Sequence, residues 1–392
     1  MTPSADALLA PHDWTFPIPI HYGFGRLREV PERCRAAGMS RPLVVTDRCS
    51  ADLPFVARLL TDLRSNGFDE ALYAEISPNP RDDEIHRGAE IFRSEARDGV
   101  IAIGGGSGMD GGKAIATVAN HALALQTFDY DRDPPRLQGG SFPPLITVPT
   151  TAGTGAETES TAMVTDTVRG MKYCSWHPDL KPNCTILDPE LTLGLPANLT
   201  AWTGCDALIH AVESYCVPGF HPLCDGAALE GLRLTSRWLR VAVNEPTNRH
   251  ARGAMLVGSC LAGIAFLKGL GLVHAISHMV GAEYDTHHGL TNAVTLPAVL
   301  RFNQPAIAAE VRPLAVAMNL RDESFDGLYR ATCTLLDDLE IPRTLTELGL
   351  PVDSAAALAQ KAALDAAAGT NARQASATEI EATIADALTH GR

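Results

Sequence analysis

Two stretches of the chain set metal-ligating side chains at helix spacing. GCDALIHAVESY carries Asp206 and His210 four residues apart, about 40° around a helix and so on one face. VHAISHMVGAEYDTHHG carries His274 and His278 at the same spacing, with His287 and His288 in the loop beyond. A lone histidine on an apolar helix is ordinarily a core residue. Two i,i+4 pairs with further histidines beside them instead point to a divalent first-row metal. One carboxylate with three imidazoles suits zinc and ferrous iron alike.

A second chemistry is written in glycine. The apolar run VIAI leads into GGGSGMDGGK, Gly104 to Lys113, and then into a helix. Glycine lets the backbone turn sharply and approach a phosphate, and a helix N-terminus presents unpaired N–H groups to it. The literal GxGxxG at Gly106, Gly108 and Gly111 is a weak signal, because no acidic residue ends a strand about twenty residues later. Asp47 is the better partner: it ends an earlier strand, where a carboxylate can accept both ribose hydroxyls of an adenosine and repel a 2′-phosphate. VPTTAGTGAETE, Val148 to Glu159, follows another strand. Its hydroxyls and amides suit a cofactor loop, while Thr154 and Glu157 also fit the capping box of a helix start. A metal that polarises an alcohol or carbonyl oxygen, working with a nicotinamide, is a hydride-transfer arrangement.

The elements that must hold these residues fall into two halves. PLVVT, ALYAEI, VIAI and Leu145 to Val148 read as buried strands. Between them, Val56, Leu59, Leu60 and Leu63, then Ile85, Ala89, Phe92 and Ala96, repeat at helical spacing. This βαβα order predicts a parallel sheet covered by helices, and Thr167 to Gly170 predicts a hairpin turn. From about Leu195 helical periods dominate. We therefore expect a dinucleotide-binding α/β domain over 1–195 and an all-α metal- and substrate-binding domain over 196–392. SAAALAQKAALDAAA near the C-terminus reads as one continuous helix stopped by Gly369.

Composition narrows the function. The 392 residues include 46 acidic and 32 basic side chains, a net charge of −14, and 45% are hydrophobic. With no basic block, composition argues against a sequence-independent nucleic-acid or anionic-membrane partner, since both need a concentrated positive field. The apolar stretch Gly253 to Leu267 is too short and too interrupted for a membrane span and reads as a buried helix. The N-terminus lacks the pattern of a signal peptide. Nine scattered cysteines without CxxC spacing predict reduced thiols and a cytoplasmic protein.

Taken together, these motifs resemble the iron-containing (group III) alcohol dehydrogenase family over nearly the whole chain. GGGSGMDGGK is similar to the family's GGGSPxDxxK and PTTAGTGAE to PTTAGTGSE, while ILDPELTLGLP from Ile186 is similar to the segment joining its two domains. The resemblance implies the dehydroquinate synthase-like fold, with Asp206, His210, His274 and His288 as metal ligands and His278 beside the substrate as a proton relay. It implies cofactor contacts at Asp47, Asn79, Gly105, Gly106, Ser107, Asp110, Thr150, Thr151, Thr154 and Lys172. The expected cofactors are NAD and Fe2+, with Zn2+ as the other metal. The expected reaction interconverts a small primary alcohol and its aldehyde in a homodimer or larger homo-oligomer.

Gly108, Ala156 and Asn371-Ala372-Arg373 depart from the family's Pro, Ser and NPR. AFLKGLGLVH, Ala265 to His274, is one residue shorter than in many members. Its Lys268 resembles members acting on ω-hydroxy acids such as 4-hydroxybutyrate; the ammonium either runs along the helix surface to solvent or turns into the cleft to anchor a substrate carboxylate. Other readings are a metal-free enzyme like maleylacetate reductase, a zinc polyol dehydrogenase, and an idle NAD(H)-binding protein. Metal dependence separates the first two, and the intact cluster argues against the last.

Overall fold

The structure, a computed structural model, describes residues 12–14, 18–137 and 142–392. It divides into two compact units. One comprises the chain up to Thr151 together with Ala156–Leu193, and the other comprises Ala152–Gly155 with Gly194–Arg392.

The first unit is built on strands β1 (His12–Trp14), β2 (Ile20–Tyr22), β3 (Pro42–Asp47), β4 (Ala71–Ile76), β5 (Gly99–Gly104), β6 (Leu145–Pro149), β7 (Thr161–Asp166), β8 (Met171–Trp176) and β9 (Cys184–Leu187), with helices α1 (Val30–Ala36), α2 (Pro54–Ser65), α3 (Asp82–Ser94) and α4 (Gly106–Val118). The main sheet runs β1-β2-β9-β6-β5-β3-β4. All its pairs are parallel except β1 with β2.

Both faces are covered, which explains the unbroken apolar runs of its central strands. Val44, Ile101, Ile103 and Ile146 pack with Val30, Leu59 and Leu63. Their neighbours Leu43, Val45, Val100 and Ala102 pack on the other face with Ile85, Phe92, Met109 and Ile115. From β3 the chain steps outward to β4, then returns to place β5 on the opposite side of β3. The carboxyl ends of β3 and β5 therefore flank a topological switch point, where open α/β sheets bind ligands. β7 and β8 form the expected hairpin, its turn held by Asp166, whose Oδ1 accepts from the Val168 and Arg169 N–H groups.

The second unit is helical: α5 (Ala197–Cys216), α6 (Pro222–Asn244), α7 (Arg249–Ala265), α8 (Leu272–Tyr284), α9 (His288–Asn303), α10 (Val311–Ala317), α11 (Phe325–Asp338), α12 (Ala355–Ala362), α13 (Ala366–Gly369) and α14 (Ala377–Thr389). The apolar α7 is a core helix packed on α5 and α6. The single C-terminal helix read from the alanine run is broken between α12 and α13. There Asp365 takes an extended backbone, φ −77° and ψ 138°, and caps α13 by accepting from the Ala367 N–H. Propensity alone does not see this, because the break is tied to a partner 87 residues away, His278. All nine cysteines are free thiols.

Candidate metal centre and dinucleotide loops

Three helices of the second unit deliver the metal-ligating set. α5 presents Asp206 and His210 one turn apart, α8 presents His274, and His288 opens α9. One ligand atom from each lies within 4.8 Å of all the others. The Nε2 atoms of His210, His274 and His288 stand 3.9, 3.7 and 3.7 Å from Asp206 Oδ1. Donor atoms 2.0–2.2 Å from a tetrahedral ion stand roughly 3.4 Å apart, and the three separations from Asp206 lie within about half an ångström of that.

The outer hydrogen bonds fit one as well. His210 Nδ1 meets the Gly153 carbonyl at 3.1 Å and His274 Nδ1 meets the Glu213 carboxylate at 2.6 Å, so both nitrogens carry a proton. His288 Nδ1 lies 3.2 Å from the Ser277 hydroxyl, which itself donates to the His274 carbonyl and so accepts from the ring. In this tautomer all three Nε2 lone pairs converge beside Asp206.

The electrostatics of these groups differ: against burial, hydrogen bonds to Asp206 and Glu213 raise His274 to about 9, and an ion binding there would displace that proton. Burial would raise the Asp206 carboxyl, but His210, His288 and His274 hold it well below the carboxylate range. Burial pushes His210 down to about 4 despite the nearby Asp206 charge. An anionic oxygen and a neutral imidazole are the forms a metal binds. Asn292 completes the pocket. Its Nδ2 lies 2.7 Å from Asp206 Oδ1, 3.2 Å from His274 Nε2 and 3.1 Å from His288 Nε2, while its buried Oδ1 has no hydrogen-bond partner. Amide donors gathered on three electron-rich atoms mark a place shaped for positive charge.

The other residues singled out in the sequence find different places. His278 lies next to the cluster, its ring stacked 5.4 Å from His288, and its Nδ1 is held by Asp365 at 2.9 Å. His287 is outside the set: it caps α9 by accepting from the Leu290 N–H and packs on Trp202. Lys268 is held within the helical unit. Its ammonium is 2.6 Å from Asp225 Oδ1 and 3.4 Å from the Tyr215 carbonyl, with the side chain 7% exposed. The charge read as an anchor for a substrate carboxylate is neutralised by α6. Glu213, Asn292 and Asp365 escaped the sequence reading. Glu213 continues the Asp206, His210 face at i+7 and Asn292 follows His288 at i+4, so both were within reach of periodicity; Asp365 left no such signal.

In the first unit, β3 ends at Asp47 and β5 ends at Gly104, whose φ of +144° only glycine adopts comfortably. A Cβ there would come 2.9 Å from Asp47 Oδ2, so the carboxylate and the glycine turn are neighbours. Asp47 accepts from the N–H and hydroxyl of Ser50. The stretch read as a ten-residue loop is a short turn, since α4 begins at Gly106, and no side chain caps its N-terminus. Gly111 and Gly112 are there for packing: a Cβ on either would run into Ile76 or Ala102.

Several of the remaining cofactor candidates lie near this turn. Ser107 bonds the Pro78 carbonyl next to Asn79, the Thr150 N–H bonds the Gly104 carbonyl, and Thr151 faces Gly105 with a buried hydroxyl that has no partner. Burial raises the Asp110 carboxyl against the charges of Lys113 and Lys172. No helix starts after Thr154, which removes the capping-box reading. Thr154 belongs with Ala152–Gly155 to the helical unit. Lys113, fully buried, donates to the Ala156 carbonyl at 2.7 Å and ties α4 to the second loop.

A parallel sheet with a glycine turn at its switch point, joined in one chain to a helical unit bearing a carboxylate and three histidines, defines a two-domain dehydrogenase class. The comparisons carry this to the family. The "Iron-containing alcohol dehydrogenase" description matches residues 17–189 and "Fe-containing alcohol dehydrogenase family, C-terminal" matches residues 200–388. The chain is 36% identical to a 4-hydroxybutyrate dehydrogenase of Cupriavidus necator over 92% of its own length and 95% of that protein's. It is 34% identical to an NAD-dependent methanol dehydrogenase of Bacillus methanolicus over 93% and 97%. A solved 1,3-propanediol oxidoreductase superposes with a TM-score of 0.89 at 34% identity, covering 94% of this chain and 97% of that one. The chain belongs to the iron-containing alcohol dehydrogenase family and is an oxidoreductase of the alcohol dehydrogenase type.

Proposed function

We propose that the protein is an NAD(H)- and metal-dependent dehydrogenase that interconverts a small primary alcohol and its aldehyde. The observation that carries this reading is the convergence of Asp206 Oδ1 with three histidine Nε2 atoms, each ring fixed from behind. Asp206, His210, His274 and His288 would hold Fe2+ or Zn2+, because the donor set accepts either and availability decides between them. A bound ion supplies Lewis acidity to an alcohol or carbonyl oxygen, and a bound nicotinamide supplies the hydride partner.

The chain's own residues do the rest. His278 donates its Nδ1 proton to Asp365, which leaves Nε2 as the lone pair that accepts a proton from the alcohol side of the reaction. Asp47 favours an adenosine with a free 2′-hydroxyl. The open N-terminus of α4 at Gly105, Gly106 and Ser107 receives the pyrophosphate. Asn79, Asp110, Thr150, Thr151, Thr154 and Lys172 complete the cofactor contacts.

The substrate's far end stays open to a neutral alcohol, a diol or an ω-hydroxy acid. Relatives of 34–36% identity act on 4-hydroxybutyrate and methanol by name, and the Asp225-bound Lys268 gives no reason to favour the acid. Anaerobic purification, metal analysis, and rates with methanol, 1,3-propanediol and 4-hydroxybutyrate on NAD and NADP test the reading. Bound Fe2+ or Zn2+ with NAD-linked oxidation of at least one alcohol is the expected result. Full activity after complete metal removal would overturn it.

A further inference from the structure

The three ligand histidines are not held alike. Behind His210 stands a neutral carbonyl and behind His288 a neutral hydroxyl. His274 has a carboxylate at its back, Glu213, and its contact is the shortest of the three at 2.6 Å. The Glu213 side chain is 4% exposed. The same carboxylate accepts from the Val273 N–H at 2.8 Å and the Gly271 N–H at 3.1 Å. It thus satisfies backbone donors that the first turn of α8 leaves unpaired, while Asn371 Oδ1 takes the Leu272 N–H between them. One side chain from α5 fixes both where α8 begins and which way its first histidine faces.

We propose that Glu213 is a positioning residue of the metal centre, its carboxylate setting the affinity of the site by holding His274 with Nε2 turned to Asp206. This rests on the reading of the cluster as a metal site. A carboxylate accepting from Nδ1–H fixes the tautomer and makes the opposite nitrogen a better donor, and loss of such a partner typically costs 10–100-fold in metal affinity. Glutamine at 213 is nearly isosteric and can still accept a backbone N–H through its oxygen. It has no charge to offer Nδ1, and where its NH2 faces the ring it drives the proton to Nε2, the atom the ion needs.

Chelator-stripped wild type, Glu213→Gln, Glu213→Asp and Ser277→Ala are titrated with Zn2+ against a competing chromogenic chelator, and with Co2+ by visible absorption. Circular dichroism and melting of the metal-free proteins check the fold. We expect Glu213→Gln to weaken Zn2+ by 10–100-fold and alter the Co2+ spectrum, with Glu213→Asp between it and wild type. Ser277→Ala, which removes only a neutral acceptor, weakens Zn2+ less than Glu213→Gln. Should Glu213→Gln not fold, the loss in Glu213→Asp carries the test. A variant that melts earlier yet binds Zn2+ as wild type does would make Glu213 a helix cap only and overturn the proposal. Wild type failing to bind Zn2+, Co2+ or Fe2+ would overturn the metal reading itself.

Discussion

At the residue scale each proposed metal ligand is backed by a different group: Asn292 for Asp206, Gly153 for His210, Glu213 for His274 and Ser277 for His288. His210 Nε2 is one of four donors, and its Nδ1 is occupied by Gly153. His210→Ala should therefore empty the site of metal and abolish turnover. NAD(H) binding should persist, because all the proposed dinucleotide residues but Thr154 lie in the other unit. Metal analysis with cofactor titration checks this; a variant with full metal and ordinary rates would remove His210 from the site. Asp47 is the residue we propose to set the choice of cofactor. Asp47→Asn keeps an acceptor for Ser50 while removing the charge that would oppose a 2′-phosphate. Its preference for NAD over NADP should shrink by at least tenfold, about 1.4 kcal/mol. Equal use of both cofactors by the wild type would sink that role.

At the scale of elements, the proposed metal centre adjoins a place where two backbones approach closely. Gly155, at φ +61°, lies against Gly263 of α7 so tightly that a Cβ on Gly263 would fall 2.6 Å from the Gly155 Cα. This contact seats Ala152–Gly155, whose Gly153 carbonyl orients His210. Gly263→Ala should cost about 1–3 kcal/mol as overpacking and also weaken metal binding, since the displaced segment releases His210 Nδ1. Denaturant unfolding and Zn2+ titration of the same preparation test both effects. Lost stability with unchanged affinity would show that the segment moves without the carbonyl.

At the scale of the molecule, one buried carboxyl should shape the pH dependence of stability. Burial raises Glu159 from 4.5 to about 7, against the opposing Lys113, Thr158 and Lys181 and with Glu157 adding to the rise. The unfolded chain gives up this proton near pH 4.5 and the folded protein holds it to about 7. The stability it contributes is full below pH 4.5 and is lost as pH climbs through 7, by at most about 3 kcal/mol. Glu159→Gln should therefore gain stability relative to wild type at pH 8 and little at pH 4.5. Melting curves of both proteins across that range give the answer, and parallel curves would show that Glu159 ionises freely.

What was legible in the sequence was local. The apolar runs of β3, β5 and β6, the hairpin turn after Asp166 and the i,i+4 pair Asp206 and His210 each depend on residues a few positions apart, where periodicity and turn chemistry act directly. The cofactor loops were visible as composition, but the boundary between turn and helix at Gly106 was not, because glycines that bind and glycines that pack look alike. Everything carried by distant partners was decided by tertiary structure. Glu213 reaches His274 across 61 residues and Lys268 finds Asp225 across 43. Asp365 breaks an alanine helix to meet His278 across 87. A buried charge takes whichever opposite group the packed helices bring within 3 Å, and no pattern along the chain encodes that meeting.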